Sequence, residues 1–241
     1  MNQNSQKLKK LYVCGKNSVA DALANRFPLE KIVLQKGTKF SNEQIFQSAK
    51  VPIEIKEKGF FEVFNNENHQ GIVAFLKDFP IYELNVIFKD KPNCVLVLDH
   101  IQDPHNFGAI IRTANAFGIK HIIFPKEKAA SITPTVLKIA SGGFANIKFI
   151  KVSSISATLT KLKKEHFWIY VSALEQNAAS FDEIQYNYPA ALVLGSEGDG
   201  VSLPTLRTAD QIVYIPQKGT VQSLNVSVAA GLLIHSITKK D

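Results

Sequence analysis

Two short runs, residues 95–98 (VLVL) and 191–194 (ALVL), are apolar at every position. A strand with one wet face alternates apolar and polar residues. A strand with no such alternation is buried on both faces, which requires helices above and below the sheet. Around these runs, helical periodicity at 107–117, 134–140, 153–165, 203–208 and 224–237 alternates with strand-like stretches at 121–124, 167–172 and 211–215. That alternation predicts an α/β fold built on a parallel sheet. Gly118 stands where the first of these helices should stop.

The stretch from Leu11 to about Asp78 reads as a smaller α/β unit. A helix through Phe27 has Asn17 or Ser18 as its cap, and residues 31–35 are strand-like. A helix over 41–50 has Ser41 as cap and Glu43 in its first turn. Residues 52–56 alternate like a half-buried strand, and 71–76 form a further apolar strand. Residues 79–93 lose periodicity and contain Pro80, Lys89, Asp90, Lys91 and Pro92, so they read as a linker. The expected division is therefore 1–78, a linker at 79–93, and 94–241. A chain of 241 residues has room for two units.

Composition removes several classes. With 45% hydrophobic and 20% charged residues the chain is packed rather than disordered. Its apolar runs are far too short to cross a bilayer. The first ten residues are polar and lysine-rich with no apolar core behind them, so a secretory leader is not expected and the cytoplasm is. Cys14 and Cys94 are the only cysteines and form no CxxC, which excludes a disulfide framework and a zinc ribbon. The six histidines form no HxxxH or HExxH pair, so no metal site is expected.

The net charge of +7 permits an anionic partner. It is spread along the chain: residues 1–90 hold 13 Lys and Arg against 10 Asp and Glu, and the remainder 15 against 11. Nearly all the basic residues are lysine; Arg26, Arg112 and Arg207 are the exceptions. In such a chain an arginine at a special place points to use of its planar fork.

Ligands of open parallel sheets collect at the carboxyl ends of the strands. Three unusual loops lie there. The first, DHIQDPHNFG at 99–108, runs into the helix carrying Arg112. The second is GSEGDG at 195–200, and the third is PQKGTVQSLN at 216–225, which enters the last helix. None is a GxGxxG fingerprint after a first strand, a Walker A loop or a GxSxG elbow. Each has a plain structural alternative. Asn106 fits as a helix cap and Arg112 as a surface ion pair. The glycine loop fits as a tight turn around a solvated Glu197, and Ser223 or Asn225 as a cap.

In this order and spacing, DHIQDPHNFGAIIRTANAFGI (99–119), LVLGSEGDGVS (192–202) and IPQKGTVQSLNVSVAAGLLIHSI (215–237) resemble the SpoU family of RNA 2′-O-ribose methyltransferases in the SPOUT superfamily. The likeness covers about 94–238. YVCGKNSVADAL (12–23) and HQGIVA (69–74) are similar to the small RNA substrate-binding domain of that family. The turn Ser141-Gly142-Gly143-Phe144 departs slightly from the family's pattern.

The resemblance implies a parallel-sheet catalytic domain with a C-terminal deep trefoil knot, S-adenosylmethionine as cofactor, and a homodimer with sites at the subunit interface. Cofactor contacts carry over to Gly195, Ile215 and Leu224. The polar catalytic set carries over to Asn106, Arg112, Glu197, Ser223 and Asn225. Arg112 is expected to fix a phosphate and stabilise developing charge on the ribose oxygen, since a guanidinium is a poor base. Asn106 would orient the nucleotide or the arginine, and Glu197 would hold Arg112 or a substrate group. Ser223 and Asn225 would shape the loop around donor and ribose. The implied substrate is a guanosine ribose of large-subunit (23S) ribosomal RNA. A tRNA guanosine is the enzymatic alternative. A non-catalytic RNA-binding or ribosome-assembly factor is the alternative of another class. The N-terminal domain would address the RNA through Lys7, Lys9, Lys10, Lys16, Lys36 and Lys39.

Overall fold

The computed structural model describes residues 10–39, 44–47, 49–65 and 67–239. In chain order the elements begin with β1 (Tyr12–Cys14), α1 (Lys16–Ala24), β2 (Leu29–Gln35), α2 (Gln44–Gln47), β3 (Ile53–Lys56), β4 (Ile72–Leu76), β5 (Ile81–Tyr82) and α3 (Asn85–Asp90). They continue with β6 (Cys94–Asp99), α4 (Pro104–Ala116), β7 (His121–Pro125), α5 (Pro134–Ala140), β8 (Lys148–Val152) and α6 (Ile155–Lys164). The last are β9 (Trp168–Ser172), β10 (Ala179–Ser180), β11 (Ala190–Gly195), α7 (Leu203–Leu206), β12 (Gln211–Tyr214) and α8 (Val226–Thr238). These fall into two compact units. One comprises residues up to 80 together with 132–145; the other comprises 81–131 and 146–241.

In the first unit the sheet order is β1-β4-β2-β3, with β4 antiparallel to both neighbours and β3 parallel to β2. Its core gathers Cys14, Val33, Phe61, Phe64, Val73 and Phe75. α1 starts before either expected cap. Gly15 takes the left-handed φ of 88°, and the Lys16 amide donates to Gln70 Oε1 at 2.9 Å, so a distant side chain does the capping. Ser18 is buried inside the helix instead. Ser41 and Glu43 lie outside the described residues, within which the second helix is the short α2. α5, capped by Thr133, packs against β1.

The second unit is an eight-stranded sheet, parallel throughout, in the order β10-β12-β9-β11-β6-β7-β8-β5. The all-apolar runs at 95–98 and 191–194 are its two central strands, β6 and β11, buried on both faces as expected. Val95, Val97, Ile123, Ile169 and Val193 meet Ile155, Leu159 and Leu162 of α6 on one face. On the other, α4 and α8 pack together, and Phe107 of α4 lies 5.5 Å from the ring of Phe124. Burying one such Leu, Ile or Phe contributes about 1.5–3 kcal/mol.

Residues 79–93 are not a bare linker. β5 pairs with β8 at the sheet edge, and Ile87 of α3 is fully buried in the core of this unit. A two-residue strand and a six-residue helix are too short to show a period in sequence. Pro80 and Pro92 flank these elements without interrupting them.

β6 is followed outward on one side by β7 and β8, while β11, β9 and β12 lie on the other. The strand order therefore reverses between β6 and β11, and the crevice at their carboxyl ends is where such sheets bind ligands.

Candidate active site

β6 ends in Asp99 and β11 in Gly195, and the two are partners in register. Asp99 is fully buried. A buried carboxylate is costly unless its oxygens are hydrogen-bonded, and these are. Oδ2 accepts from the Ser202 amide and hydroxyl, both at 2.9 Å, and Oδ1 lies 2.6 Å from His100 Nδ1. Asp99 thus ties the loop after β11 to the end of β6. His100 carries a φ of 62°, a left-handed conformation that His tolerates better than most residues. The signal for this anchor was present in sequence: a lone carboxylate closing an apolar run.

The glycine loop is a tight turn in its backbone. Ser196 and Gly200 exchange amide hydrogen bonds of 3.0 and 3.1 Å. Gly198 and Gly200 take left-handed φ values of 86° and 69°. A Cβ on Gly195 would collide with the Gly200 carbonyl. The loop's acid is more than solvated, however. Glu197 Oε1 accepts from Asn106 Nδ2 at 3.0 Å, Asn225 Nδ2 at 2.6 Å and the Val226 amide at 3.3 Å.

Asn106 is not the cap of α4. That role belongs to Asp103, which accepts from the His105 amide at 3.0 Å, with Pro104 in the first turn. Asn106 sits one turn further in, 6% exposed, and its Oδ1 accepts from Asn225 Nδ2 at 3.0 Å. Asn225 combines both readings of its position. Its Oδ1 caps α8 by accepting from the Ser227 amide at 2.9 Å, and its amino group binds Glu197 and Asn106. Three side chains, one from the first turn of α4, one from the glycine loop and one capping α8, thereby close a ring at the start of two helices. A carboxylate there is also favoured by the positive ends of the helix dipoles.

Arg112 stands apart from this ring. It is exposed and makes no hydrogen bond or ion pair among the described residues. It lies six residues beyond Asn106, about 9 Å along the helix axis and about 120° around it. Glu197 therefore does not hold Arg112 within the chain, contrary to one of the two expected roles. Ser223 is likewise exposed and outside the ring. Gly195 ends β11 and Ile215 directly follows β12, two strands with β9 between them, so they sit about 10 Å apart. Ile215 and Leu224 are half-buried, and no hydrogen bond joins the backbone of residues 217–223 to another described residue. Half-buried apolar side chains beside unspent amides suit a ligand that is apolar in one part and polar in another.

Neither thiol belongs to this chemistry. Burial pushes both Cys14 and Cys94 up to about 12, so both stay protonated at neutral pH. Among the described residues no three His, Cys, Asp or Glu side chains form a metal-holding group, and no helix is long and apolar enough to cross a membrane.

Comparison with known proteins bears on both units. Residues 93–235 match the model of the SpoU rRNA methylase family, and residues 12–82 match that of the RNA 2′-O ribose methyltransferase substrate-binding domain. The chain is 39% identical over 181 residues to the 23S rRNA (guanosine-2′-O-)-methyltransferase RlmB of Coxiella burnetii, covering 73% of this chain and 72% of that protein. It is 31% identical over 237 residues to a Staphylococcus aureus protein named for the TrmH family of tRNA/rRNA methyltransferases, covering 95% of each. The AdoMet-bound rRNA methyltransferase structure from Sinorhizobium meliloti superposes with a TM-score of 0.80 at 23% identity, covering 95% of this chain and 86% of that one. With the family's catalytic model lying over the three loops that build the ring, and its substrate-binding model over the smaller unit, this chain belongs to the SpoU family of RNA methyltransferases.

Proposed function

We propose that this protein methylates the ribose 2′-hydroxyl of a guanosine in large-subunit (23S) ribosomal RNA, with S-adenosylmethionine as donor. The observation that carries the reading is the Asn106–Glu197–Asn225 ring at the carboxyl ends of β6 and β11. The guanosine and the ribosomal target are supported by the Coxiella burnetii relative. The name of the Staphylococcus aureus relative favours keeping a tRNA guanosine as the second reading.

Gly195, Ile215 and Leu224 would hold the donor, with the unspent amides of 217–223 facing its polar parts. S-adenosylmethionine supplies a methyl group already activated by a positive sulfur. The chain must place the ribose oxygen in line with that carbon and let the hydroxyl proton leave. Glu197 Oε1 is taken up by three donors, while Oε2 has no partner among the described residues, so Oε2 is left to accept from the nucleotide. The ring fixes where that oxygen sits. Arg112, with no partner among the described residues, binds the adjacent phosphate through its fork and stabilises negative charge growing on the ribose oxygen. The proton passes to a phosphate oxygen or water. Ser223 lines the same loop.

A homodimer belongs to this reading. Val228, Leu232 and His235 lie along one exposed side of α8, and the His235 ring meets exposed Phe117 of α4. Such a half-apolar stripe suits a second copy, which would bring Arg112 to a site not its own. The C-terminal knot and a cytoplasmic location are part of the same proposal. So is RNA binding by the first unit. There Lys10 and Lys36 pair with Glu30 and Glu57 at 2.7 and 2.8 Å. Exposed pairs of this kind are weak and exchange readily for phosphate. Lys16 and Lys39 belong to the same set, while Lys7 and Lys9 lie outside the described residues.

The test is methyl transfer from labelled S-adenosylmethionine to unmodified 23S rRNA and, in parallel, to unmodified tRNA, with the modified nucleotide mapped by resistance to alkaline cleavage. Label on one rRNA guanosine ribose is expected. Label on tRNA alone would transfer the chemistry to the second reading.

A further inference from the structure

Methyl transfer to a ribose hydroxyl releases a proton, and the loop after β6 holds a side chain suited to receive it. His100 directly follows Asp99, which is the register partner of Gly195 across the β6–β11 pair. Neighbouring strands lie about 4.8 Å apart, so His100 stands on the same rim of the sheet as the glycine loop. Its Nδ1 lies 2.6 Å from Asp99 Oδ1. Asp99 Oδ2 already accepts two hydrogen bonds from Ser202, so the carboxylate is fixed in place before the imidazole meets it. A carboxylate can only accept. Nδ1 therefore carries the ring proton and donates, which leaves Nε2 a bare acceptor with no partner among the described residues. Exposure follows the same order: the Asp99 side chain is 1% exposed and that of His100 37%. A buried carboxylate that orients an imidazole, with the far nitrogen open to solvent, is the arrangement of a general base.

Backbone strain separates this from a plain loop contact. His100 holds its φ of 62° where glycine sits without strain. The turn alone does not call for an imidazole there, and strained residues of this kind collect at functional sites. The other candidates are poorer. Arg112 is a weak base, Glu197 Oε1 is occupied by three donors, and Asp103 caps α4. His105, exposed in the first turn of α4, has no carboxylate behind its ring among the described residues.

We propose that His100 Nε2 is the final acceptor of the 2′-hydroxyl proton, reached through one water, with Asp99 as its positioning residue. This deepens the methyltransferase reading and rests on it. As the ribose oxygen bonds to the methyl carbon, the carbon–sulfur bond breaks and its electron pair stays on sulfur. The hydroxyl proton passes to the water, and the water gives a proton to Nε2. The positive charge of the sulfonium thus ends on an imidazolium beside Asp99, from which bulk water later takes the proton.

His100→Gly and His100→Asn test this. Glycine frees φ; asparagine tolerates it and offers Asp99 an amide donor. Both spare the loop and neither carries a base. Single-turnover transfer at saturating donor and rRNA transcript falls by about 100-fold in both. The unfolding temperature, the calorimetric affinity for S-adenosylmethionine and the affinity for the transcript stay as in wild type. Imidazole added to His100→Gly restores part of the rate, and more basic methylimidazoles restore more. In the wild-type protein without donor or RNA, nitrogen NMR shows the neutral His100 ring protonated on Nδ1 and bare on Nε2. A near wild-type rate in either variant, a rate loss matched by lost donor affinity, the absence of imidazole rescue, or a ring protonated on Nε2 overturns the proposal and leaves His100 a loop contact. If the wild-type protein transfers no methyl group to rRNA or tRNA, the methyltransferase reading falls and the proposal with it. Active wild type with equally active variants removes the proposal alone.

Discussion

Asn225 donates from its amide nitrogen to Glu197 Oε1 at 2.6 Å while its own carbonyl oxygen caps α8. One side chain therefore sets both where the last helix begins and where the carboxylate of the glycine loop is held. The two functions separate in Asn225→Asp. Asp caps a helix as well as Asn does, so α8 should survive. The donated hydrogen bond is replaced by a second carboxylate facing Glu197. A charge-assisted bond of this kind is worth about 1.5–3 kcal/mol. Single-turnover methyl transfer should fall by about 10- to 100-fold, with the helical circular dichroism unchanged.

Arg112→Lys keeps the charge and loses the fork. Because Arg112 is exposed and unpartnered among the described residues, thermal unfolding should shift by no more than about 0.5 kcal/mol equivalent. Methyl transfer should drop at least about tenfold at saturating donor. Turnover near wild type would remove the role assigned to fork geometry.

Asp99→Asn tests the anchor under the loop. Asn retains one acceptor but brings an amino group toward donors on Ser202 or His100. The expected cost in urea unfolding is about 1–3 kcal/mol. Donor binding, followed calorimetrically, should weaken along with it because the loop that includes Gly195 and Glu197 is no longer pinned.

Two glycines give opposite outcomes. Gly195→Ala places a methyl group against the Gly200 carbonyl, so the turn must open and the Glu197 contacts must shift. A loss of about 1–3 kcal/mol and most of the activity is expected. Gly219→Ala meets nothing within 4 Å and should unfold at the wild-type temperature.

His121 makes stability depend on pH. Burial holds its imidazole below the ordinary value of about 6.5, with Asp90 opposing this and Lys148 and Lys120 adding to it. The unfolded chain takes up a proton below about pH 6.5 that the folded chain resists, so stability should fall as pH drops from about 7 to 5. Asp90, held below its ordinary value first by Lys148 and then by His121, adds a loss only below about pH 4. His121→Gln keeps a donor for Asp90 and removes the titration. Urea midpoints at the two ends of the upper range should then differ less than in wild type.

Much of the larger unit was legible because its signals are local. The apolar runs of β6 and β11 needed no partner to be read as doubly buried strands, and the period of α6 stands out in sequence. The misses share a physical cause. β5 and α3 are shorter than the period that would reveal them. Gln70 caps α1 from more than fifty positions away in sequence. α4 begins three residues earlier than its apolar pattern because Asp103 and Pro104 start it and the apolar face only begins at Phe107.

The same division runs through the site. Sequence by itself determined that Glu197 sits in a loop and Asn225 at the entry to the last helix, both beyond strand ends, because strand and helix boundaries follow from short-range patterns of burial and capping; Asn106, expected in the loop, lies in the first turn of α4. Only the tertiary structure decided that these three close a ring while Arg112 and Ser223 stay outside it. Asn106 and Glu197 are 91 residues apart, and Asn106 and Asn225 are 119 apart. Their meeting depends on β11 inserting beside β6, with α8 packed against α4. That arrangement is set by the burial of whole sheet faces, which no local pattern encodes.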